Sequence, residues 1–537
     1  MHPDKASGPD GLNSAIFQHF WKLLGTEVFK CCQQWLNECK FSAEVNETML
    51  VLIPKKENVE ELKDLRPTAL CNVLYKIVAK VLANRLQKIL QVLISKEQSA
   101  FVPGRSITDN VLVAFELLHY MKRKSTQEEG GVALKLDISK AYDRVSWGYL
   151  ENKMLLMGFS NKWIKWMMLC VTTVSYSISF QGSTIGTIIP KRGLRQGDPL
   201  SPYLFLLCVE GLSLGLKQAG EDNRITGCRV ANSAPLVTHL LFADDSFLFF
   251  KATTAEANEV KGILNSYETY SGQAVNFQKS VIFFSSNVRR DKQTEIKQPL
   301  GVHNDIGCTK YLGLPSLIGR FKKTVFRYLK DKVFQRIQGW STKLLSRAGK
   351  AVMIKNVAQA IPSDTMSCFL IPKTLCQEIE RLMNAYWWRS SSSASKGIRW
   401  LAWDKMCMSK KYGGMGFRNL HGFNLAMLCK QCWNLINRPD ALVSRVLKAR
   451  YYPNCHILEA ERKGGSSYTC SGIWEAKEEV KKGLRWVLGD GQSIRINPDR
   501  WLRGKEGYCV AQGRFLRRAR WATAQGPKAT GASKFRN

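Results

Sequence analysis

The chain has 537 residues, 45% hydrophobic and 10% aromatic, which is enough apolar content for several folded subdomains and excludes a wholly disordered chain. The 79 Lys and Arg residues against 44 Asp and Glu give a net charge of +35, which favours nucleic acid as a partner because binding to phosphates releases counterions. Sixteen Cys residues in a chain of this length exclude a small disulfide scaffold.

The beginning of the chain, Met1 to Gly8, contains no apolar signal region. We therefore expect an intracellular protein with reduced thiols that is not secreted, whereas nucleus and cytoplasm are not distinguished. The longest apolar stretch, Pro202 to Leu216, is too short to cross a bilayer and contains Glu210. No membrane segment is predicted.

The N-terminal part of the chain predicts a loop, a helical region, a strand and a further helix. Lys5 to Gly11 is rich in turn residues, and apolar residues from Phe17 to Leu36 recur at helical spacing. Met49 to Ile53, which precedes Pro54, is a short apolar run typical of a strand. Leu74 to Leu93 has apolar residues three and four apart, which predicts an amphipathic helix.

Two further strand predictions place acidic residues at strand ends. Val132 to Leu136 is an apolar strand candidate that is followed directly by Asp137. Two apolar runs between Leu240 and Phe250 are joined by a short segment that contains Asp244 and Asp245. This pattern predicts a buried β-hairpin with both acids at its tip.

A loop rich in Gly and Pro, Gly193 to Pro202, lies between these acids in the sequence. Its glycines would allow the backbone to approach a ligand closely, and the apolar helix predicted from Tyr203 onward would present the loop to a site. An ordinary helix-capping turn is the alternative, and it accounts for Asp198 and Pro199 but not for the rest of the loop.

The second half of the chain is predicted to be mainly helical and basic. Ser316 to Leu420 contains 20 basic and 5 acidic residues, and Trp residues alternate with Lys and Arg. Ser390 to Ser395 is a Ser-rich break typical of a linker. Cys429 and Cys432 form a CxxC within an apolar helical pattern and lack a second pair at zinc-finger spacing, which favours core cysteines over a metal site.

Adjacent acids at the turn of an apolar hairpin repel each other, and a divalent cation would remove that repulsion. Carboxylate oxygens suit Mg²⁺, with Mn²⁺ as the alternative, and Asp137 is the natural third acid beside Asp244 and Asp245. Such a site would support nucleotidyl transfer. Taken alone, Asp244 and Asp245 could instead be simple turn formers, because Asp is favoured in turns.

Ten segments in a fixed order resemble the reverse transcriptase of a plant LINE-type, non-LTR retrotransposon, and the similarity runs from about residue 5 to residue 503. The segments are Lys5–Gly11, Leu52–Lys56, Asp64–Pro67, Cys71–Lys76, Gln98–Arg105, Leu134–Asp143, Gly193–Pro202, Phe242–Asp245, Gly272–Ser280 and Tyr311–Pro315.

The resemblance implies an α+β right-hand polymerase with fingers, palm and thumb, followed by a mainly helical C-terminal region. It implies an N-terminal extension and fingers over residues 1–130, and a palm over 131–315 within a reverse transcriptase domain of about 45–315. A basic helical thumb is expected over 316–390, a helical connection region over 396–503, and a disordered basic tail over 504–537.

Site residues follow from the same resemblance. Asp137, Asp244 and Asp245 would be the catalytic, metal-binding acids, and the substrate-binding residues would be Arg66, Tyr142, Gln196, Gly197 and Lys279. Tyr142 would exclude a ribose 2′-hydroxyl, Arg66 would contact the triphosphate, and Lys279 would lie near the leaving phosphates. Gln196 and Gly197 would line the nucleotide and template side, and Tyr311 to Gly313 would belong to the primer grip.

The residues themselves leave structural alternatives open for three of these positions. A Tyr such as Tyr142 is equally plausible as a core side chain, Arg66 as a partner in a surface salt bridge, and Lys279 as a solvated residue on a loop.

The implied activity is RNA-directed DNA synthesis with an RNA template, a DNA primer, deoxynucleoside triphosphates and Mg²⁺ or Mn²⁺. The chain begins inside the first matching segment and nothing in it resembles an endonuclease, so a form truncated at both ends is expected. Two alternatives remain: an inactive RNA-binding remnant of a decayed element, and an RNA chaperone similar to intron maturases. The sequence does not indicate the oligomeric state.

Overall fold

The computed structural model describes residues 1–484 apart from residues 43, 125–128, 181–182, 306–309, 317, 320, 342, 344, 389–397 and 463. The chain divides into two compact units: the first contains Met1–Phe326 and Arg438–Cys455, and the second contains Arg327–Asn437 and the chain from His456 onward. The predicted linker at Ser390 to Ser395 and the predicted tail at 504–537 lie outside the described residues.

The helices and strands of the first unit fall, in chain order, into those before residue 131 and those from residue 131 onward. The first group is α1 (Ser14–His19), α2 (Trp21–Glu38), β1 (Glu47–Pro54), β2 (Leu65–Cys71), α3 (Val73–Gln87), α4 (Leu90–Leu93) and α5 (Ile107–Lys122). The second group is β3 (Gly131–Leu136), α6 (Trp147–Leu156), α7 (Asn161–Thr172), β4 (Ser175–Phe180), β5 (Ser183–Ile188), α8 (Ser201–Glu221), β6 (His239–Phe242), β7 (Asp245–Lys251), α9 (Thr254–Ser271), β8 (Val281–Phe284), α10 (Arg290–Leu300), β9 (Asn304–Asp305), β10 (Lys310–Tyr311) and β11 (Leu314–Pro315).

The remaining elements are helical. They are α11 (Lys322–Ser341), α12 (Arg347–Met353), a π-helical turn (Ile354–Ala358), α13 (Ser363–Met366), α14 (Lys373–Trp388), α15 (Trp403–Cys407), α16 (Leu420–Asn437), α17 (Leu442–Tyr451) and α18 (Tyr468–Gly483). Helix α17 belongs to the first unit, where Arg438 just before it forms an ion pair with Asp109 of α5. Within the described part of the second unit, every regular element is a helix, as predicted.

A five-stranded sheet with the order β6-β7-β3-β8-β9 forms the centre of the first unit. Strand β3 pairs antiparallel with β7 and with β8, so that Leu134 lies between Leu248 and Ile282, and all three side chains are buried. The predicted strand at Val132 to Leu136 and the predicted buried hairpin are both confirmed. Apolar faces on both sides of a strand require this kind of covered, central position. The expectation that both hairpin strands are central is correct for β7 but wrong for β6, which is an edge strand of the sheet.

A second sheet has the order β2-β1-β4-β5, with β1 and β4 parallel. It combines strands from both sides of residue 131, where the sequence suggested a boundary between fingers and palm. Strand β2 was not predicted. It contains Pro67, which lacks a backbone N–H, and a sheet tolerates such a residue because β2 is an edge strand.

The single helix predicted from Leu74 to Leu93 is wrong, because the chain forms α3 and a separate short α4. At the break, the N–H groups of Lys88 and Ile89 donate to the carbonyls of Arg85 and Leu86, each three residues earlier. This tighter pattern ends the α-helical hydrogen-bond ladder.

Helix α16 carries the CxxC pair, as the apolar pattern predicted. Cys432 is fully buried, and the Cys429 thiol donates a hydrogen bond to the carbonyl of Ala476 at 3.4 Å. Among the residues that the structure describes, no helix is both long enough and apolar enough to span a bilayer.

Candidate active site

The three predicted catalytic acids follow from two neighbouring strands. Asp137 comes directly after β3, and Asp245 is the first residue of β7. Since Leu136 pairs with Ser246 in the antiparallel ladder, the next step in register brings Asp137 opposite Asp245. Asp244 lies in the turn between β6 and β7, so the acids gather at one end of the central strand pair.

The turn between β6 and β7 is a tight two-residue loop. Phe242 pairs with Asp245, which leaves Ala243 and Asp244 as a two-residue loop, and Ala243 has φ of 54°. Tight two-residue hairpins require positive φ, which costs a residue with a Cβ about 1–2 kcal/mol. The turn is therefore a strained feature that the surrounding structure must hold.

The surroundings of Asp245 disfavour its charged form. Asp137 and Asp244 are exposed, whereas Asp245 is half-buried. Burial raises the pKa of Asp245, the Asp244 and Asp137 carboxylates raise it further, and Lys135 opposes them from 3.8 Å. Negative charge therefore accumulates at this end of the sheet beyond what Lys135 offsets.

The chemistry of these side chains fits a hard divalent cation, because all of them present carboxylate oxygens. Within the described residues, no group of three or more His, Cys, Asp or Glu side chains is already arranged to hold a metal ion. The geometry thus supplies the donors and the unbalanced charge, and the carboxylates would have to converge when a cation binds.

The segment Gly272 to Ser280 is joined to the backbone of Asp137. The Asp137 N–H donates to Ser280 Oγ at 3.1 Å, and the Asp137 carbonyl accepts the Asn276 N–H at 2.7 Å. Lys279 lies on this loop with an exposed side chain. The structure therefore brings the loop of Lys279 to the first acid, although the Lys279 side chain itself points to solvent.

The loop Gly193 to Pro202 docks its main chain on β2. The Gln196 carbonyl accepts the Ala69 N–H at 2.8 Å, and a Cβ on Gly197, which has φ of 111°, would lie 2.9 Å from the Ala69 carbonyl oxygen. The Gln196 side chain donates to Asp143 at 3.3 Å. Gln196 and Gly197 thus lie beside the strand that carries Arg66.

Sequence reasoning missed a buried ion pair in the same loop. Arg195 and Asp198 are 3.0 Å apart, with side chains only 3% and 4% exposed. Arg195 also donates to Asn46 at 2.6 Å, and the Tyr75 hydroxyl donates to Asp198 at 2.5 Å. No local pattern could reveal this network, because its members come from distant parts of the chain.

Tyr142 is half-buried and stacks on Phe205, with ring centroids 4.7 Å apart and an interplanar angle of 11°. Burial raises the pKa of its hydroxyl, and the Asp244 carboxylate adds to that effect. Tyr142 therefore lies within electrostatic range of an acid, with its ring held by the core.

Arg66 is exposed on β2, where it pairs with Ile53. Among the described residues, neither Arg66 nor Lys279 has a side-chain hydrogen bond or ion pair with the three acids. The structure groups Arg66 with Gln196 and Gly197 through β2, and it groups Lys279 with Asp137 through the backbone.

The predicted primer-grip segment packs against the hairpin strand. Tyr311 is fully buried, and its ring meets Phe247 edge to face at 4.9 Å. Lys135, which faces Asp245, also donates to the Lys310 carbonyl at 2.9 Å. Lys135 was not singled out from the sequence, although a charged residue in an apolar strand just before an acid is a usable signal.

Comparison with known proteins agrees with this geometry. A model of the family described as reverse transcriptase (RNA-dependent DNA polymerase) matches residues 53–329, slightly more than half of the chain. The chain therefore belongs to the reverse transcriptase family. The chain has the predicted α+β architecture, with the acids at one end of its central sheet.

Known proteins are similar in sequence to this chain over between 27% and 80% of its length. The chain is 26% identical over 435 residues to the Transposon TX1 uncharacterized 149 kDa protein of Xenopus laevis, covering 80% of this chain and 32% of that protein. It is 39% identical over 144 residues to an uncharacterized mitochondrial protein of Arabidopsis thaliana, covering 27% of this chain and 93% of that protein.

A third relative is the retrovirus-related Pol polyprotein from the type-2 retrotransposable element R2DM of Drosophila melanogaster. It is 27% identical over 199 residues, which cover 37% of this chain and 18% of that protein. The chain thus spans about a third of the length of the Xenopus relative and less of the Drosophila one.

Proposed function

We propose that this chain is the polymerase part of a plant LINE-type, non-LTR retroelement and that it extends a DNA primer on an RNA template with deoxynucleoside triphosphates. The observation that supports the proposal most is the position of Asp137, Asp244 and Asp245 at one end of the paired strands β3, β6 and β7, inside the segment that matches the reverse transcriptase family. The enzyme would act inside the cell, where both RNA and DNA are available.

Asp137 and Asp244, the two exposed acids, would be the principal ligands of Mg²⁺ or Mn²⁺, with Asp245 as the third acid. When bound, such a cation lowers the pKa of an attacking hydroxyl and neutralises leaving phosphates. The Lys135 ammonium favours the charged form of Asp245 and also donates to the Lys310 carbonyl. Lys135 would thus connect Asp245 with the predicted primer-grip segment.

The other site residues would bind and select the nucleotide. Arg66 presents a planar, permanently charged fork suited to triphosphate oxygens. Tyr142, whose ring is fixed by Phe205, would block a ribose 2′-hydroxyl sterically. Gln196 and Gly197 would line the nucleotide and template side, and Lys279 would lie near the leaving phosphates.

The predicted subdomain division is retained as part of the proposal. It consists of fingers within 1–130, a palm within 131–315, a thumb within 316–390 and a connection region within 396–503. Basic residues among the 20 between Ser316 and Leu420 would contact nucleic-acid phosphates, and exposed rings such as Trp400 would stack on bases. Trp340, Trp387 and Trp403 are buried and are not available for stacking.

The experiment that tests the proposed function is extension of a DNA primer on an RNA template by purified protein with Mg²⁺. Wild-type protein should extend the primer, and the double variant Asp244→Asn, Asp245→Asn should lose activity by about a hundredfold or more, since it removes the charge that binds the metal. Asp222→Asn, which changes an exposed acid beside Arg224, is the matched control and should extend normally.

The competing function, an inactive RNA-binding remnant, makes the opposite prediction. Folded wild-type protein that binds the template and primer but does not extend the primer with Mg²⁺ or Mn²⁺ would overturn the proposed polymerase and support the remnant. A maturase-like chaperone would instead bind one structured RNA tightly, with no change in the double variant.

A further inference from the structure

The turn that carries Asp244 is bound by a segment that precedes the palm in sequence. The Leu241 N–H donates to the Glu97 carbonyl at 2.9 Å, and the Leu241 carbonyl accepts the Ser99 N–H at 3.1 Å. The Asn110 side chain donates to the same carbonyl at 2.6 Å. Strand β6, an edge strand of the palm sheet, therefore has a second set of backbone partners on its open side.

Gln98 makes a contact closer to the acids. Its side-chain oxygen accepts the N–H of Ala243, the strained turn residue, at 3.1 Å and the N–H of Ala100 at 2.9 Å. Gln98 is 1% exposed. A buried amide that binds the main chain of a turn restricts the positions that the turn can adopt.

The Asn110 side chain is itself held by a neighbouring residue. It is buried on α5, and its side-chain oxygen accepts a hydrogen bond from the Ser99 hydroxyl at 2.5 Å. Gln98, Ser99 and Asn110 thus form a small polar cluster that we name the turn clamp. Each member binds backbone groups of residues 241 to 243, and none needs to contact a substrate.

We propose that the turn clamp positions the acids for metal binding, and that Gln98 is its principal positioning residue. The inference rests on the proposed function. Asp244 and Asp245 repel each other and Asp137, so without support the turn would relax away from the geometry that a cation requires. By holding Ala243, Gln98 limits how far the two acids that follow it can move away from Asp137.

The variant that tests this role is Gln98→Met, which keeps the side-chain length but removes the acceptor oxygen. Loss of a group that orients metal ligands typically costs about 10–100-fold in metal affinity or activity. We expect nucleotide addition at saturating triphosphate to slow by about that factor and half-maximal activity to require more Mg²⁺. The affinity for primer and template should not change.

Gln359→Met is the matched control. Gln359 is also 1% exposed, and its side chain donates to the Arg418 carbonyl at 3.3 Å in the second unit. A general loss of stability from removing a buried amide would appear in both variants. The Mg²⁺ requirement should increase only in Gln98→Met.

Binding of Mn²⁺ alone, measured by electron paramagnetic resonance, separates this inference from the proposed function. Wild-type protein should bind Mn²⁺, Gln98→Met should bind it at least about tenfold more weakly, and Asp244→Asn, Asp245→Asn should define the background. If wild-type protein fails to extend a primer, the proposed function fails while the Mn²⁺ comparison still decides the role of Gln98.

Two results would overturn the inference. One is a folded Gln98→Met protein with wild-type Mn²⁺ affinity. The other comes from Gln98→Glu, which keeps an acceptor oxygen and would be neutral because burial raises the pKa of a carboxyl. The Mn²⁺ affinity of Gln98→Glu should be within a fewfold of wild type, and this variant can be measured even if Gln98→Met does not fold. A loss of Mn²⁺ affinity as large as that of the acid double variant would contradict the positioning role of Gln98.

Discussion

Two loops of the first unit both carry aspartates, and their environments are opposite. In the Gly193 to Pro202 loop, Asp198 is buried and bound by Arg195 and by the Tyr75 hydroxyl. In the hairpin turn, Asp244 is exposed, and Asp245 is half-buried with two like charges and one lysine nearby. The partner set of each acid, rather than its position in a motif, separates a structural role from a chemical one.

The largest stability effect should come from the paired acid. Asp198→Asn leaves the buried Arg195 guanidinium without its counter-charge, which typically costs about 3–5 kcal/mol. Urea denaturation followed by tryptophan fluorescence should show a lower unfolding midpoint for this variant. Asp222→Asn changes an exposed ion pair and should leave the midpoint unchanged. Equal unfolding midpoints for both variants would show that Asp198 contributes no more to stability than an exposed acid does.

A smaller effect should come from Gly197, which allows the first loop to dock. Gly197→Ala adds a Cβ at φ of 111° and 2.9 Å from the Ala69 carbonyl oxygen, which should destabilise the protein by about 1–3 kcal/mol. Primer extension should fall as well, because the loop would shift from β2.

Gly313→Ala is the control for Gly197→Ala, since Gly313 has φ of 80° but no atom within 4 Å of an added Cβ. Only backbone strain applies there, about 1–2 kcal/mol. If Gly313→Ala destabilises the protein as much as Gly197→Ala, the close approach to Ala69 contributes nothing.

The smallest effect should come from Asp245, whose ion pair with Lys135 is partly exposed. Because the pKa of Asp245 is raised in the folded state, its charged form opposes folding at neutral pH, and this penalty disappears as the pH falls through the folded pKa. At pH 7, Asp245→Asn should therefore be as stable as wild type or more stable, with a gain in the free energy of unfolding of less than about 1 kcal/mol. The gain should vanish below the ordinary Asp pKa, as thermal denaturation across pH would show. A less stable Asp245→Asn at pH 7 would contradict this sign.

Features set by local pattern could be predicted from the sequence. The strand before Asp137, the hairpin of Asp244 and Asp245 and the CxxC helix follow from apolar spacing and turn residues, and all three are present. The three acids could be named because their order with the other segments resembles one family. Their metal-binding role stays a prediction.

Features that depend on distant partners could not be predicted. Arg195 gives no sign in its own segment that Asn46 and the Cys170 carbonyl will surround it. Strand β2 forms at a Pro-containing segment because β1 supplies its hydrogen bonds. The turn clamp is similar, because only the folded chain brings Gln98 to Ala243.

The single variant Asp137→Asn tests most directly whether the three acids act together, because Asp137 follows β3 whereas Asp244 and Asp245 belong to the β6–β7 hairpin. Its Mg²⁺-dependent primer extension on an RNA template should fall by about a hundredfold or more, with unchanged template binding and an unfolding midpoint no lower than that of wild type. Extension at the wild-type rate by folded Asp137→Asn protein would contradict the claim that these three acids form one catalytic site.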